Sequence, residues 1–263
     1  MAIRRIILSP IVAIFVPCNV ACVALVCALS ALPARGAEIE VISTGSFRGA
    51  LTELAPAFEK SHGDKIAMLS AGTDEIVRRL AAGETLDIVI APAPWIDDLI
   101  GRGWLATGSR VDLADSGIGV AIKAGMPVID IRTTEALRSA LREAPTIMLS
   151  NGVSGIYLTA LFKKWGLAEE LEPKIVRLPG SREVADAMVR GEADIAFLQT
   201  AEWLEVKGVT FVGPLPADIQ EMTAISAGLN QKAAAPEAAR ALLEFLASSA
   251  AGPAKTKTGL TPR

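Results

Sequence analysis

Thiols are nearly missing from this chain of 263 residues. The three cysteines, Cys18, Cys22 and Cys27, all stand in the first 36 positions. Imidazole is scarcer: His62 is the single histidine, in a charged "EKSHGDK" stretch that reads as an exposed helix end. A transition-metal site is excluded on that ground, and so is a Ser-His-Asp triad, which has no base to use. Gly152-Val153-Ser154-Gly155 does not match the strained Gly-x-Ser-x-Gly elbow either. Aromatic residues make up 5% of the chain, and its 26 basic residues are outnumbered by 29 acidic ones. Without a basic stripe or an aromatic platform, nucleic-acid binding is excluded. No glycine-rich phosphate loop ending in Lys-Ser/Thr is present.

What the first residues do have is the pattern of an export signal. Arg4 and Arg5 precede an uncharged, mostly apolar run over residues 6–32, closed by the small-x-small site Ala34-Arg35-Gly36. Residues 1–36 therefore read as a signal peptide. The run is also long enough to span a bilayer, so a retained membrane anchor is the competing reading. Pro10, Pro17 and Asn19 interrupt it and leave residues 20–31 as a core of ordinary signal length. Cleavage removes Arg4, Arg5 and Arg35 and takes the net charge from −3 to −6. It also leaves an exported chain without a disulfide, which must stand on its apolar core alone. None of the cysteines has the Leu at −3 that lipid attachment favours.

From Glu38 onward, β-branched runs alternate with amphipathic patterns. Strands are expected over residues 39–42, 66–69, 88–90, 117–122, 146–149, 175–178, 194–198 and 222–227, with a further short one starting at Phe211 and Val212. Helices are expected between them, with an amphipathic closing helix over 236–248. Such alternation predicts an α/β fold with mixed, mostly parallel sheets.

One local unit recurs. "VISTGSFRGAL" runs from a strand through small residues straight into a helix, and the same join is made at Ala71-Gly72-Thr73, at residues 150–155 and at Pro179-Gly180-Ser181. Each puts a Ser or Thr beside a glycine where a helix begins. Free N–H groups and a partial positive charge collect at a helix start. Glycine admits a ligand to the backbone, and a hydroxyl adds a donor, so the combination binds anions without formal charge. Any one of these joins is equally an ordinary N-cap. Four of the same composition, two in each half of the chain, point to a shared pocket.

In this order the segments resemble the periplasmic molybdate-binding protein family, the solute receptors of ABC importers. "VISTGSFRGALTELAPAFEKSHG" is similar to that family's first strand and helix, with Ser46 at a ligand serine. "LSAGTDEIVRRLAAGETLDIVIAPAPWIDDL" is similar to its second stretch, with Thr73 in place of a second ligand serine. "SNGVSGIYLTALFKKWG" and "SREVADAMVRGEADIAF" resemble the third and fourth, with Ser154 and Val184 where backbone N–H groups meet the oxyanion. "KTKTGLTP" resembles the closing segment. The chain departs at Gln199, in "DIAFLQTAEW", where the family has a pocket tyrosine; a glutamine amide can donate in its place.

The resemblance implies a two-lobed type II periplasmic binding fold with two hinge crossovers. Lobe one would comprise residues 37–117 and 222–263, and lobe two residues 118–221. It implies a monomeric, exported receptor without a cofactor or enzymatic activity. Its partners would be a small oxyanion such as molybdate or tungstate and the membrane subunits of an ABC importer. The expected ligand-binding residues are Ser46, Thr73, Ser154, Val184 and Gln199. Arg48 and Arg182, each in a first helical turn, are either solvated or turned inward to pair with a carboxylate. The alternatives are a receptor for another anion such as a small carboxylate, a membrane-tethered sensor, and a hydrolase using Ser154 or Ser46.

Overall fold

The computed structural model describes residues 36–263, so the expected signal segment lies outside the described residues. The first three strands, β1 (Glu38–Ser43), β2 (Lys65–Ser70) and β3 (Ile88–Pro92), pair in parallel. Helices α1 (Gly45–His62), α2 (Thr73–Ala81) and α3 (Ala93–Gly101) follow them in turn. Strand β4 (Val111–Lys123) then leads into α4 (Thr134–Glu143), β5 (Ile147–Ser150), α5 (Val153–Lys164), the short α6 (Ala168–Leu171) and β6 (Ile175–Leu178). The chain continues through α7 (Ser181–Val189), β7 (Ile195–Gln199), α8 (Thr200–Trp203) and β8 (Val209–Pro214). It ends with β9 (Met222–Leu229), α9 (Pro236–Ala247), α10 (Gly252–Lys257) and β10 (Thr261–Pro262).

The order along the sheet is β2-β1-β3-β9-β4-β7-β5-β6, with β8 and β10 also paired to β4. Each flank is parallel, β2-β1-β3 on one side and β7-β5-β6 on the other. Every antiparallel pairing involves β4 or β9. Strand β4 is the crossing strand of this two-lobed α/β fold. Its first part, Val111–Gly117, pairs with β9, and from Ile118 it pairs with β7 and then β8. The chain returns just before Met222, where the Gln220 side chain clasps Ile118. Its Oε1 accepts from Ile118 N at 2.8 Å and its Nε2 donates to Ile118 O at 2.9 Å.

Sequence alone places the crossing strand at 117–122, and the structure starts it at Val111. The added stretch carries Asp112 and Asp115, and a carboxylate in a strand needs partners. Asp112 has them in Arg110, Ser226 and Arg263, and Asp115 has Arg263. The closing segment docks against the same strand: β10 pairs with it, and buried Lys255 donates from Nζ to Leu113 O at 2.8 Å.

The inner strands β3, β5 and β7 are covered on both faces, which is why they read as unbroken apolar runs rather than alternations, whereas the edge strands β2 and β6 are half-buried or exposed. Ile39 and Val41 of β1, with Ile88 and Ile90 of β3, face Phe47, Leu51 and Phe58 of α1 and Leu242 and Leu246 of α9. Ile42 and Val89 face the opposite way, onto Ile76, Leu80, Ile96 and Leu99. The second flank repeats this with Ile147, Leu149 and Phe197 on one side and Met148, Ala196 and Leu198 on the other.

Buried Asp87 fastens three segments of the first half. It accepts from Glu40 N at 2.8 Å and from Ala235 N at 2.9 Å, and its main-chain oxygen accepts from Asn230 N. Asp87→Ala strands two amides, at about 1–3 kcal/mol for each group left unsatisfied. Urea unfolding will show the loss, and Asp87→Asn, which keeps one acceptor, will recover part of it.

Candidate functional site

The parallel strands β1, β2, β5 and β6 deliver four helices whose starts line one cavity. The Thr44-Gly45-Ser46 turn opens α1, Ala71-Gly72-Thr73 opens α2, residues 152–154 open α5, and Pro179-Gly180-Ser181 opens α7. None of these four starts is capped by its own N-cap side chain. Helices α3, α6, α9 and α10 likewise lack a side-chain cap, whereas α4, away from the cavity, has one, with Thr133 Oγ1 accepting from Ala136 N at 3.2 Å. The first-turn amides around the cavity are therefore offered to whatever lies inside it.

The cavity is small, ≈ 50 Å³. On the same measure a water needs about 10–15 Å³, so the space holds a few waters or one compact group. Two hydroxyl pairs face it. Thr44 Oγ1 lies 3.1 Å from Ser46 Oγ, and Ser150 Oγ lies 3.5 Å from Ser154 Oγ. All four side chains are buried. Each pair holds two hydroxyl protons and needs only one for its internal bond, which leaves a proton to donate. Gly155 sets the tight join of β5 to α5: a β-carbon there would stand 1.8 Å from Ser150 O. Gly72 and Gly180 face each other across the opening, and a β-carbon on Gly72 would meet Gly180 Cα at 3.8 Å.

Of the residues expected from sequence, Ser46, Thr73, Ser154 and Gln199 line this cavity together. Val184 does not. Its side chain is buried in the second half's core, and its N–H donates to Gly180 O at 3.3 Å within α7. The donors that α7 presents come a turn earlier, at Gly180 and Ser181. Arg48 and Arg182 also lie outside. Arg48 Nε donates to Glu205 Oε2 at 2.8 Å, and Arg182, largely exposed, stands 4.0 Å from Asp186.

Gln199 is turned to the crossing strand. With its amide oriented to satisfy its neighbours, its nitrogen donates to Ser116 O at 3.0 Å and Ser116 Oγ at 2.9 Å, and lies 3.2 Å from Gly117 O. The other amide atom is 3.4 Å from Thr223 Oγ1 on β9. Its donors brace β4 where the chain passes from one half to the other.

Glu202 is the residue that sequence reasoning missed. It is the one titratable group lining the cavity among the described residues. Its Oε2 accepts from Gln199 N at 3.0 Å, and Ser181 donates to the carboxyl. The signal was present as Gln199-x-x-Glu202, a capping-box spacing, but that pattern reads as helix punctuation. Burial is the largest influence on this carboxyl and pushes its pKa up to about 6, against the Ser181 and Gln199 hydrogen bonds and the Arg48 charge, with Glu205 adding to the rise.

Comparison with known proteins fits this architecture. Residues 39–261 match the family described as bacterial extracellular solute-binding protein. The chain belongs to that family. A relative from Pseudomonas sp., named aconitate isomerase, is 36% identical over 85% of this chain and 87% of its own length. The periplasmic molybdate-binding protein of Azotobacter vinelandii superposes with a TM-score of 0.73 at 20% identity, over 86% of this chain and 99% of that one. The sulfate-binding protein SubI of Mycobacterium tuberculosis does so with 0.71 at 18%, over 86% and 87%. At such identities these two solved structures speak for the fold alone. No described helix is long and apolar enough to cross a membrane.

Two outcomes are expected. Ser46→Ala and Thr73→Ala will each weaken anion binding about tenfold or more, since a hydrogen bond to a charged group is worth about 1.5–3 kcal/mol, and will leave stability nearly unchanged. Thr133→Ala will do the reverse, costing about 1 kcal/mol of stability and no affinity. Calorimetric titration beside urea unfolding separates the two classes.

The second outcome concerns Glu202. A carboxyl whose pKa is raised on folding favours the native state at low pH, and that contribution is lost as pH rises from the unfolded value through about 6. Glu202→Gln will be more stable than the parent at pH 7.5, by up to about 2 kcal/mol, and the gap will close by pH 4.

Proposed function

We propose that this chain is an extracytoplasmic receptor that captures a small anion in the cavity between its lobes and presents it to the membrane subunits of an ABC importer. The observation that carries this reading is the convergence of four uncapped helix starts on one buried space. Amides and hydroxyls from residues 37–117 with 222–263 and from 118–221 would hold the ligand jointly. Occupancy would then favour the closed arrangement of two lobes hinged at Gly117–Ile118 and Gln220–Met222. The receptor acts as a monomer and needs no cofactor.

The anionic group we favour is the carboxylate of a small organic acid. A relative 36% identical to this chain is named for an organic acid, aconitate. A compact dianion would also lie against the Glu202 carboxyl, whereas a carboxylate with its single charge shares that space with a protonated Glu202 at lower cost. Molybdate or tungstate is the second reading. It is favoured by the volume of ≈ 50 Å³ and by neutral donors alone facing the space, apart from Glu202.

Thermal-shift and calorimetric titration of the purified chain with aconitate isomers, smaller carboxylates, molybdate, tungstate and sulfate decides between them. We expect saturable binding of an organic acid, tighter at pH 5.5 than at pH 7.5, with the acid recovered unchanged. Selective molybdate binding would move the assignment to the second reading. Conversion of one aconitate isomer into another would replace the receptor with an enzyme, in which Glu202 takes a proton from one carbon of the bound acid and returns it to another as the double bond shifts.

A further inference from the structure

Two glycines line the cavity without a backbone reason to be glycine. Gly72 has φ −69° and ψ 159°, and Gly180 has φ −142° and ψ 175°. Any L-residue adopts such angles, unlike the left-handed turns at Gly63 and Gly83, with φ 79° and 86°. Each instead faces the other. A β-carbon on Gly72 would stand 3.8 Å from Gly180 Cα and 4.0 Å from Pro179 O, and one on Gly180 would stand 4.0 Å from Gly72 Cα. A methyl group would fill that gap, and a side chain reaching across it would part the two backbones.

The sheet order says why they meet there. Gly72 follows β2 and Gly180 follows β6, the two ends of the order, while the crossing strands β9 and β4 lie in its middle. A rotation of one half against the other about those strands moves the far ends most. Among the described residues no backbone hydrogen bond joins 71–73 to 179–182, so the contact parts without breaking one. The cavity's other side is shut. Glu202 Oε1 and Ser181 Oγ each stand 2.7 Å from where a β-carbon on residue 45 would sit, which leaves no passage for a carbon chain into the adjoining compartment of ≈ 330 Å³. That side is also tied to the first half, where Ala201 packs in the core and Arg48 Nε donates to Glu205 Oε2 at 2.8 Å.

Building on the anion-binding reading above, we propose that Gly72 and Gly180 form the gate of the cavity and select ligands by length. An anion that lies wholly within the ≈ 50 Å³ lets the two backbones meet and leaves only when the halves part. A longer acid seats one carboxylate on the inner donors, and its carbon chain keeps the gate ajar. Compact anions are then released slowly, and extended acids exchange fast.

A disulfide across the gate tests this. The two glycines lie within the Cα separation of up to about 6.8 Å that a disulfide spans. Residues 36–263 hold no cysteine, so a pair introduced there can bridge only to each other once Cys18, Cys22 and Cys27 are changed to serine. In that background, full-length Gly72→Cys with Gly180→Cys should bind acetate and molybdate while reduced as the background does. Oxidised after loading, it should release the anion about a hundredfold or more slowly than the reduced form. Oxidised empty, it should take none up. Mercaptoethanol should restore uptake and release, a recovery that misfolding cannot imitate. Saturating tricarballylate should slow the pairing of the two thiols, and acetate should not. Equal exchange rates in the oxidised and reduced forms overturn the gate. So do thiols that never pair or that pair as fast with tricarballylate bound, and so does binding of tricarballylate alone. Each of these leaves the anion cavity standing. If the background chain binds none of the three anions, the anion-binding reading itself falls, and the gate with it.

Discussion

The first amides of an α-helix have no acceptor within their own helix, and this fold gathers four such starts around one space. A parallel strand that ends at the sheet's carboxyl edge and turns at once into a helix leaves its donors at that edge. Two parallel flanks, brought face to face by the crossing strand, do so from opposite sides. Ser and Thr hydroxyls add protons, and glycines let the backbones approach. The arrangement offers donors to negative charge, as the proposed function requires, without placing a cation in its innermost cavity. It avoids both the desolvation of a buried arginine and the need for a buried counter-ion.

The same geometry ties the ligand space to the joint between the halves. Helix α8 lodges in both: Ala201 packs in the first half's core, and Trp203 in the second's, donating from Nε1 to Gly119 O at 3.1 Å. Between them Glu202 lines the cavity. One residue before α8, Gln199 grips β4 at Ser116 and Gly117, and Gln220 holds the next residue, Ile118, from the returning chain. A group that enters the cavity thus touches the elements on which any relative movement of the halves would turn.

Much of this was legible in the sequence, for identifiable reasons. Ser46, Thr73 and Ser154 could be picked out because the same hydroxyl, glycine and end of an apolar run recur at four joins, although any one of them alone reads as an ordinary N-cap. The inner strands were legible because burial on both faces leaves no polar interruptions in "IVIA" or "IAFL". Position 199 was visible as a departure, but not the direction of its amide, which depends on Ser116 and Gly117 far away in the chain. Val184 was placed by resemblance, and its N–H is consumed by the ordinary i→i−4 bond to Gly180. Glu202 was hidden inside a capping box, and the Arg48–Glu205 pair spans 157 positions. The start of β4 was hidden because Asp112 finds its partners, Ser226 and Arg263, only in the folded chain.

Amide-resolved NMR of the isotope-labelled chain, titrated with tricarballylate, measures the central interaction itself. The N–H resonances of Gly45, Ser46, Thr73, residues 153 and 154, and Ser181 should show the largest downfield shifts and should saturate together at one affinity. Shifts confined to another surface, such as the apolar groove between Met126 and Pro145, with these helix-start amides unmoved, would contradict the account.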